Sequence, residues 1–382
     1  MELKEINSWA DIENIKSNLL RGIYAYGFEN PSPIQKKAIL PALEKKDIIA
    51  QAQSGTGKTG SFTVSALQLI NENENRTQCL IMSPTRELSI QIHSVLKSIG
   101  EHIEGLKTHL LVGGNPIDKD ISVLRENPHI IVGCPGRVHD MIRRGKLKAE
   151  LLDLLIIDEA DEMLSTGFKE QVYNIFQYLK SNVQVALYSA TLPSDVQELA
   201  GKFMRDPMKI LVKSEALTLE GISQYYIAVD NDSVKYETLK DLYASLSVSQ
   251  SIIYCNSIRR VEDLAGAMAN DGFEVSCIHG KMSHEDRQEA FKNFKSGATR
   301  VLISSNLTAR GIDVQQVSTV INFDIPRDVH SYLHRIGRSG RWGRKGMGIN
   351  FISRFDIKMI KEIETFYSTQ IMEMPASVIQ NP

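Results

Sequence analysis

This sequence has almost no net charge: 44 lysines and arginines against 46 aspartates and glutamates leave −2 over 382 residues. That excludes a globally basic nucleic-acid binder, so any basic site must be built from placed residues. Cysteine is scarce too. Cys79, Cys134, Cys255 and Cys277 form no C-x-x-C pair and have no histidine at metal spacing. Neither a disulfide framework nor a zinc site is supported, and the thiols are expected to be reduced, as in a cytoplasmic or nuclear protein. Long hydrophobic runs are missing. Stretches such as LLDLLIID are too short to span a bilayer, and the N-terminal MELKEINSWADIENIKS has no apolar signal core, so no membrane is expected as a partner. Neither end shows a low-complexity or Arg/Gly-rich tail, which leaves specificity for any target to partner molecules.

What is present is a regular alternation. Short apolar runs at 47–52, 78–83, 129–133, 154–158, 183–190 and 208–212 are separated by longer amphipathic segments such as 85–100 and 168–180. The same rhythm resumes at 223–229, 250–255, 273–278, 300–305, 319–324 and 346–352. Buried strands linked by helices predict an α/β fold with mostly parallel sheets. The length exceeds what one core organises, and the polar stretch KSEALTLEG interrupts the pattern. The expected domains are therefore 1–213 and 223–382, joined by a linker over 214–222, with strand C-terminal ends facing a cleft.

Two motifs carry phosphate chemistry. AQSGTGKT, residues 52–59, follows a strand and precedes the apolar helical pattern SFTVSALQLI. Small residues let backbone N–H groups curl around phosphate oxygens, and the helix N-terminus adds its dipole. In that arrangement Ser54, Gly55, Thr56 and Gly57 form the loop, Lys58 reaches the β/γ-phosphates, and the Thr59 hydroxyl is available to Mg²⁺. LLIIDEAD, residues 154–161, puts two carboxylates at a strand end. Alone it would also serve as an acidic helix start. Beside a phosphate loop, Asp158 is placed to hold Mg²⁺ and Glu159 to orient or deprotonate an attacking water. Together the two motifs indicate nucleotide hydrolysis.

A third feature is HRIGRSGRWGRKG, residues 334–346, where arginine and glycine each recur every third position. Glycine at that density disfavours a helix by about 1 kcal/mol each, so from Gly337 onward a turn displaying arginines is expected. With PTREL (84–88), DEAD (158–161), SAT (189–191), ARGID (309–313) and HRIGRSGR (334–341) in this order, the chain resembles the DEAD-box RNA helicases over nearly its whole length. It looks most like the translation initiation factor 4A type, through LLRGIYAYGFENPSPIQKKAI and SGRWGRKG.

The resemblance implies two RecA-like domains, with ATP and Mg²⁺ in the cleft between them, RNA-dependent ATP hydrolysis and local separation of short RNA duplexes. GFENPSPIQ resembles the family's adenine-reading motif, with Gln35 donating to and accepting from the base and Phe28 against its face. Trp9 stands at the family's isolated upstream aromatic, although simple surface packing would explain it equally. Arg338 and Arg341 are expected to reach the γ-phosphate from the second domain, and Asp313 to hold the ribose. RNA is expected along Pro84, Thr85, Arg86, Gly114, Gly136, Arg137 and Ser305, through backbone contacts that do not read sequence. Asp161, Ser189, Thr191, His334 and Arg335 would couple the two sites. Arg344 and Lys345 have no motif role and read as solvated charge.

The sequence departs from the family at Cys134, where a Thr is usual, at Asn306 in place of Asp, and at Lys281 and His284 in HGKMSHEDR. None touches the phosphate chemistry, but each bears on RNA grip or unwinding. The protein is expected to be monomeric and to meet protein regulators such as an initiation-type scaffold. A partner that held the same cycle closed would make it an RNA clamp with little unwinding. A DNA translocase is disfavoured by Gln35 and by the DEAD residues themselves.

Overall fold

The computed structural model describes residues 4–52, 55–164, 168–211, 222–245, 250–305, 317–339 and 346–375. The chain divides into two compact units, Met1–Lys213 and Ser214–Pro382. The first contains strands β1 (Ile48–Gln51), β2 (Cys79–Met82), β3 (Thr108–Leu111), β4 (Ile130–Gly133), β5 (Leu154–Asp158), β6 (Gln184–Ser189) and β7 (Met208–Leu211). They form one sheet in the order β3-β4-β2-β5-β6-β1-β7, and every pairing is parallel.

Such a sheet must be covered on both faces, and alternate residues of each strand supply the two cores. Ile48, Ala50, Cys79, Ile81, Leu154 and Ile156 enter one cluster. Their neighbours Ile49, Leu80, Met82, Leu155 and Ile157 enter the other. The cover on the first face is tight. At Gly22, in the helix Ser17–Ala25, an added Cβ would overlap the Ile99 carbonyl that ends the helix Arg86–Ile99. Trp9 lies in this same core, fully buried, so surface packing is not what places it.

The second unit repeats the plan with β8 (Ile222–Ala228), β9 (Ser251–Cys255), β10 (Val275–Ile278), β11 (Val301–Ser305), β12 (Thr319–Asn322), β13 (Gly346–Ile352) and β14 (Met372–Glu373). Their order is β10-β11-β9-β12-β13-β8-β14, again all parallel. β8 opens at Ile222, one residue inside the expected linker. All twelve runs marked by apolar content are strands. Two strands were not marked, β3 and β14, and both sit at sheet edges. β3 has only Leu111 fully buried and β14 is exposed, so neither writes an apolar run. Among the described residues no helix is long and apolar enough to cross a membrane.

Candidate active site

β1, β6 and β5 are neighbours, with Gln51 paired to Ser189 and Tyr188 to Asp158. The segments leaving their C-terminal ends therefore gather at one end of the first sheet. The chain leaves β1 at Ala52, whose N–H donates to the Ser189 carbonyl at 3.0 Å, and returns as the helix Lys58–Leu69. Gly55 and Gly57 both adopt left-handed backbone, with φ of 83° and 99°, which glycine accepts without strain. At Gly57 a side chain would also collide: an added Cβ would sit 2.6 Å from Ser32 Oγ and 2.8 Å from Gln35 Nε2.

Gln35 is buried beneath this turn. Its Oε1 accepts from the Ser32 N–H at 2.7 Å and its Nε2 donates to the Gly57 carbonyl at 3.1 Å. An amide of this kind has two hydrogens and two lone pairs, so one of each remains for a further partner. Phe28 borders the same turn, close enough that a Cβ on Gly60 would lie 2.7 Å from Phe28 Cε2. Its other neighbours are rings. Trp9 stacks on it at 6.1 Å and Tyr26 meets it edge-on at 4.9 Å.

Lys58 is 6% exposed, and its ammonium has no hydrogen-bond partner among the described residues. A buried, unpaired cation at a helix N-terminus costs stability unless an anion answers it. Thr59 follows it, half-buried in the same turn. Ser54 lies outside the described residues.

Across from the loop stand the carboxylates of Asp158 and Glu159, both buried. Burial, and then repulsion from Glu159, push the Asp158 carboxyl up to about 7, against the pull of Lys58. Glu159 has φ +49°, a left-handed conformation uncommon outside glycine, and its N–H donates to Asp158 Oδ1 at 3.0 Å. Strain of this type persists only where surrounding structure holds it. The helix Ala160–Met163 follows at once. Asp161 turns back onto the end of β6: its N–H donates to Ser189 Oγ at 3.2 Å, and its carboxylate accepts from Thr191 Oγ1 at 2.5 Å. The structure thus brings Asp161, Ser189 and Thr191 into one hydrogen-bonded group.

A second group lies toward the other edge. Thr85 caps the helix Arg86–Ile99, accepting from the Leu88 N–H at 3.2 Å, next to the buried Pro84. Arg86 donates to the Gly113 carbonyl and, at 3.2 Å, to Asn115 Oδ1. Gly114 between them has φ +86°. Gly136 is exposed in the first turn of the helix Pro135–Arg143, and Arg137 beside it donates to the Asn115 carbonyl at 2.9 Å. Both guanidinium groups therefore hold the loop 113–115. Cys134 caps this helix with no side-chain hydrogen bond to it; its Sγ instead meets Ser89 Oγ at 3.4 Å. Burial pushes that thiol up to about 11, so it stays protonated.

In the second unit the helix Val329–Ile336 carries His334 and Arg335, both buried. Arg335 donates to Asn322 Oδ1 at 3.0 Å, to the Asp324 carbonyl at 2.6 Å and to Asn256 Oδ1 at 2.6 Å, and it lies over the Tyr254 ring. Desolvation lowers its pKa to about 10. A turn follows at Gly337, as its density of glycine predicts. Arg338, however, is not displayed to solvent: it is 5% exposed, with Nε donating back to the His334 carbonyl at 3.3 Å. Ser305 is buried at the end of β11. Asp313, Arg341, Asn306, Arg344, Lys345 and the side chain of His284 lie outside the described residues.

A family model for the DEAD/DEAH box helicase matches residues 32–199, and one for the helicase conserved C-terminal domain matches residues 234–343. The chain belongs to the DEAD-box ATP-dependent RNA helicases. It is 52% identical over 374 residues to the ATP-dependent RNA helicase eIF4A of Coccidioides immitis, spanning 98% of this chain and 94% of that one. The eIF4A of Emericella nidulans is 53% identical over the same shares. Among solved structures, S. cerevisiae Dbp5 bound to RNA and ADP BeF3 superposes with a TM-score of 0.87 at 32% identity, covering 96% of this chain and 95% of that one. The two units of this helicase are RecA-like domains, and the enzyme hydrolyses ATP and acts on RNA.

Several residues that shape this helicase were not marked by its sequence. Asp120 and His109 meet at 3.0 Å behind the loop 113–115. Arg260 grips Asp324 at 2.6 Å and Asp232 at 2.6 Å in the second domain. Each is a single charged residue in an amphipathic segment, where nothing local separates a buried partner from a solvated one.

Proposed function

We propose that this helicase works in translation initiation in the cytoplasm, locally separating short RNA duplexes as its two domains close on ATP and Mg²⁺. The observation that carries this reading is the buried Lys58 ammonium without a hydrogen-bond partner among the described residues, beside Asp158, whose carboxyl is raised to about 7 by burial and then by repulsion from Glu159. Such a pair accepts a divalent cation, and such an ammonium accepts a phosphate. Mg²⁺ held by Thr59 and Asp158 would neutralise phosphate charge and fix the γ-phosphoryl group.

The protein's own residues supply the rest. Gln35 uses its remaining hydrogen and lone pair on adenine, with Phe28 against the ring, which predicts a preference for ATP over GTP. The amides of Ser54 to Gly57 surround the phosphates and Lys58 spans the β and γ groups. Glu159 orients the attacking water or takes a proton from it. Arg338 and Arg341 spread over the developing charge, and Asp313 holds the ribose. Because the fingers and the loop belong to different domains, hydrolysis awaits closure, which also completes an RNA path along Pro84, Thr85, Arg86, Gly114, Gly136, Arg137 and Ser305. Asp161, Ser189, Thr191, His334 and Arg335 couple the two halves. The identity to eIF4A proteins supports the initiation role and a scaffold-type regulator. The Dbp5 structure bound to Gle1 and IP6 is a relative in complex with a protein.

The test is ATP turnover of the purified chain with single-stranded RNA, with matched DNA, and with neither. RNA alone should stimulate, and Glu159→Gln should abolish turnover while leaving a melting transition. Equal turnover with and without RNA would sink the coupled-cleft reading.

A further inference from the structure

We propose that Asp120 is a positioning residue for RNA, acting through Arg137 on the exposed loop Gly113–Asn115; this rests on the RNA path proposed for that loop. Asp120 sits in the first turn of the helix Ile117–Leu124, yet its side chain is only 1% exposed. A buried carboxylate is expensive unless both oxygens are answered. Here they are: Oδ1 accepts from His109 Nε2 at 3.0 Å and Oδ2 pairs with Arg137 Nη1. His109 stands on β3 and Arg137 on the helix Pro135–Arg143, so three elements meet on one charge.

The consequence appears one bond further out. With Nη1 fixed by Asp120, Arg137 Nη2 points at the Asn115 carbonyl, 2.9 Å away. Arg86 takes the Gly113 carbonyl and the Asn115 side chain from the other side. Gly113 and Gly114 are exposed, and Gly114 holds left-handed φ. Two adjacent glycines have unusual backbone freedom, so an unbraced loop would have to be ordered by RNA itself at a cost in affinity. The two guanidinium groups order it beforehand. Asp120 also neutralises Arg137, which keeps that fork on the loop when a phosphate arrives. An unpaired arginine there would turn toward the phosphate and release the carbonyl.

The test uses the full chain and titrates single-stranded RNA into the ATPase assay. Asp120→Asn keeps the shape and removes the charge. It should raise the half-saturating RNA concentration about tenfold, with turnover at saturating RNA within twofold of the parent and nucleotide affinity without RNA unchanged. Arg137→Met should raise the half-saturating concentration by a similar factor. The double variant should be no worse than either single one, since both act through one contact. If Asp120→Asn melts early, Asp120→Leu with Arg137→Met removes both charges together and should show the same RNA defect on a folded chain. An unchanged RNA titration for Asp120→Asn beside a weakened one for Arg137→Met overturns the positioning role, as does an additive double variant. If neither variant shifts the titration while RNA still stimulates, the RNA path through this loop is wrong and the inference falls with it.

Discussion

At the scale of single residues, the chemistry of this helicase is concentrated in conflicts that the free protein does not resolve. Asp158 and Glu159 are adjacent, buried and both acidic, and the Asp158 carboxyl is held at about 7 against its usual 3.8. A carboxyl raised on folding keeps its proton in the native state where the unfolded chain has already lost it. Between about pH 4 and 7 the folded form therefore binds more protons, and stability falls as pH rises through that window. Asp158→Asn removes this dependence. Its melting temperature should match the parent near pH 4 and rise above it by pH 8, read by differential scanning fluorimetry without nucleotide. A constant gap across that range would show that the raised carboxyl does not govern stability. The DEAD residues were legible because acidic groups at the end of an apolar strand are rare. The partners of Arg335 were not, because Asn256 lies 79 residues before it and joins Asn322 and Asp324 only through the pairing of β9 with β12.

At the scale of elements, legibility followed burial. Strands covered on both faces, such as β5 with every residue buried, write continuous apolar runs. β3, half-exposed at its edge, does not. Helix ends behave in a similar way. Cys134, expected to bear on RNA grip, turns its thiol to Ser89 and leaves the helix Pro135–Arg143 without a side-chain cap. The position has φ −93° and ψ 146°, the extended geometry in which a hydroxyl caps well. Cys134→Thr should raise the unfolding free energy by about 1 kcal/mol. Urea denaturation would measure it, and a loss of stability would mean that the row in which Ser83 Oγ meets Ser89 Oγ at 2.7 Å and Ser89 Oγ meets the thiol outweighs the cap. No change in ATP affinity is expected, since neither serine lies on the phosphate loop.

At the scale of the whole molecule, the proposed mechanism divides the reaction between the two RecA-like domains. Lys58, Thr59, Asp158 and Glu159 are on the first, and Arg338 is on the second. In the framework near Arg338, Arg335 donates to Asn322, the Asp324 carbonyl and Asn256, while Arg260 bridges Asp232 and Asp324. The Arg335 hydrogen bonds anchor the end of the helix that leads into the turn at Gly337, each contributing only modestly to net stability. If Arg338 is the finger proposed, it should act on the chemical step and not on binding. Arg338→Lys keeps the charge but loses the planar fork, so turnover with saturating RNA should fall by about 10³, the lower end of what arginine fingers contribute. The KM for ATP and the melting temperature should move little. Steady-state kinetics of the full chain decides it. A matched rise in KM with turnover intact would assign Arg338 to ground-state binding, and a lowered melting temperature would assign it to the framework instead.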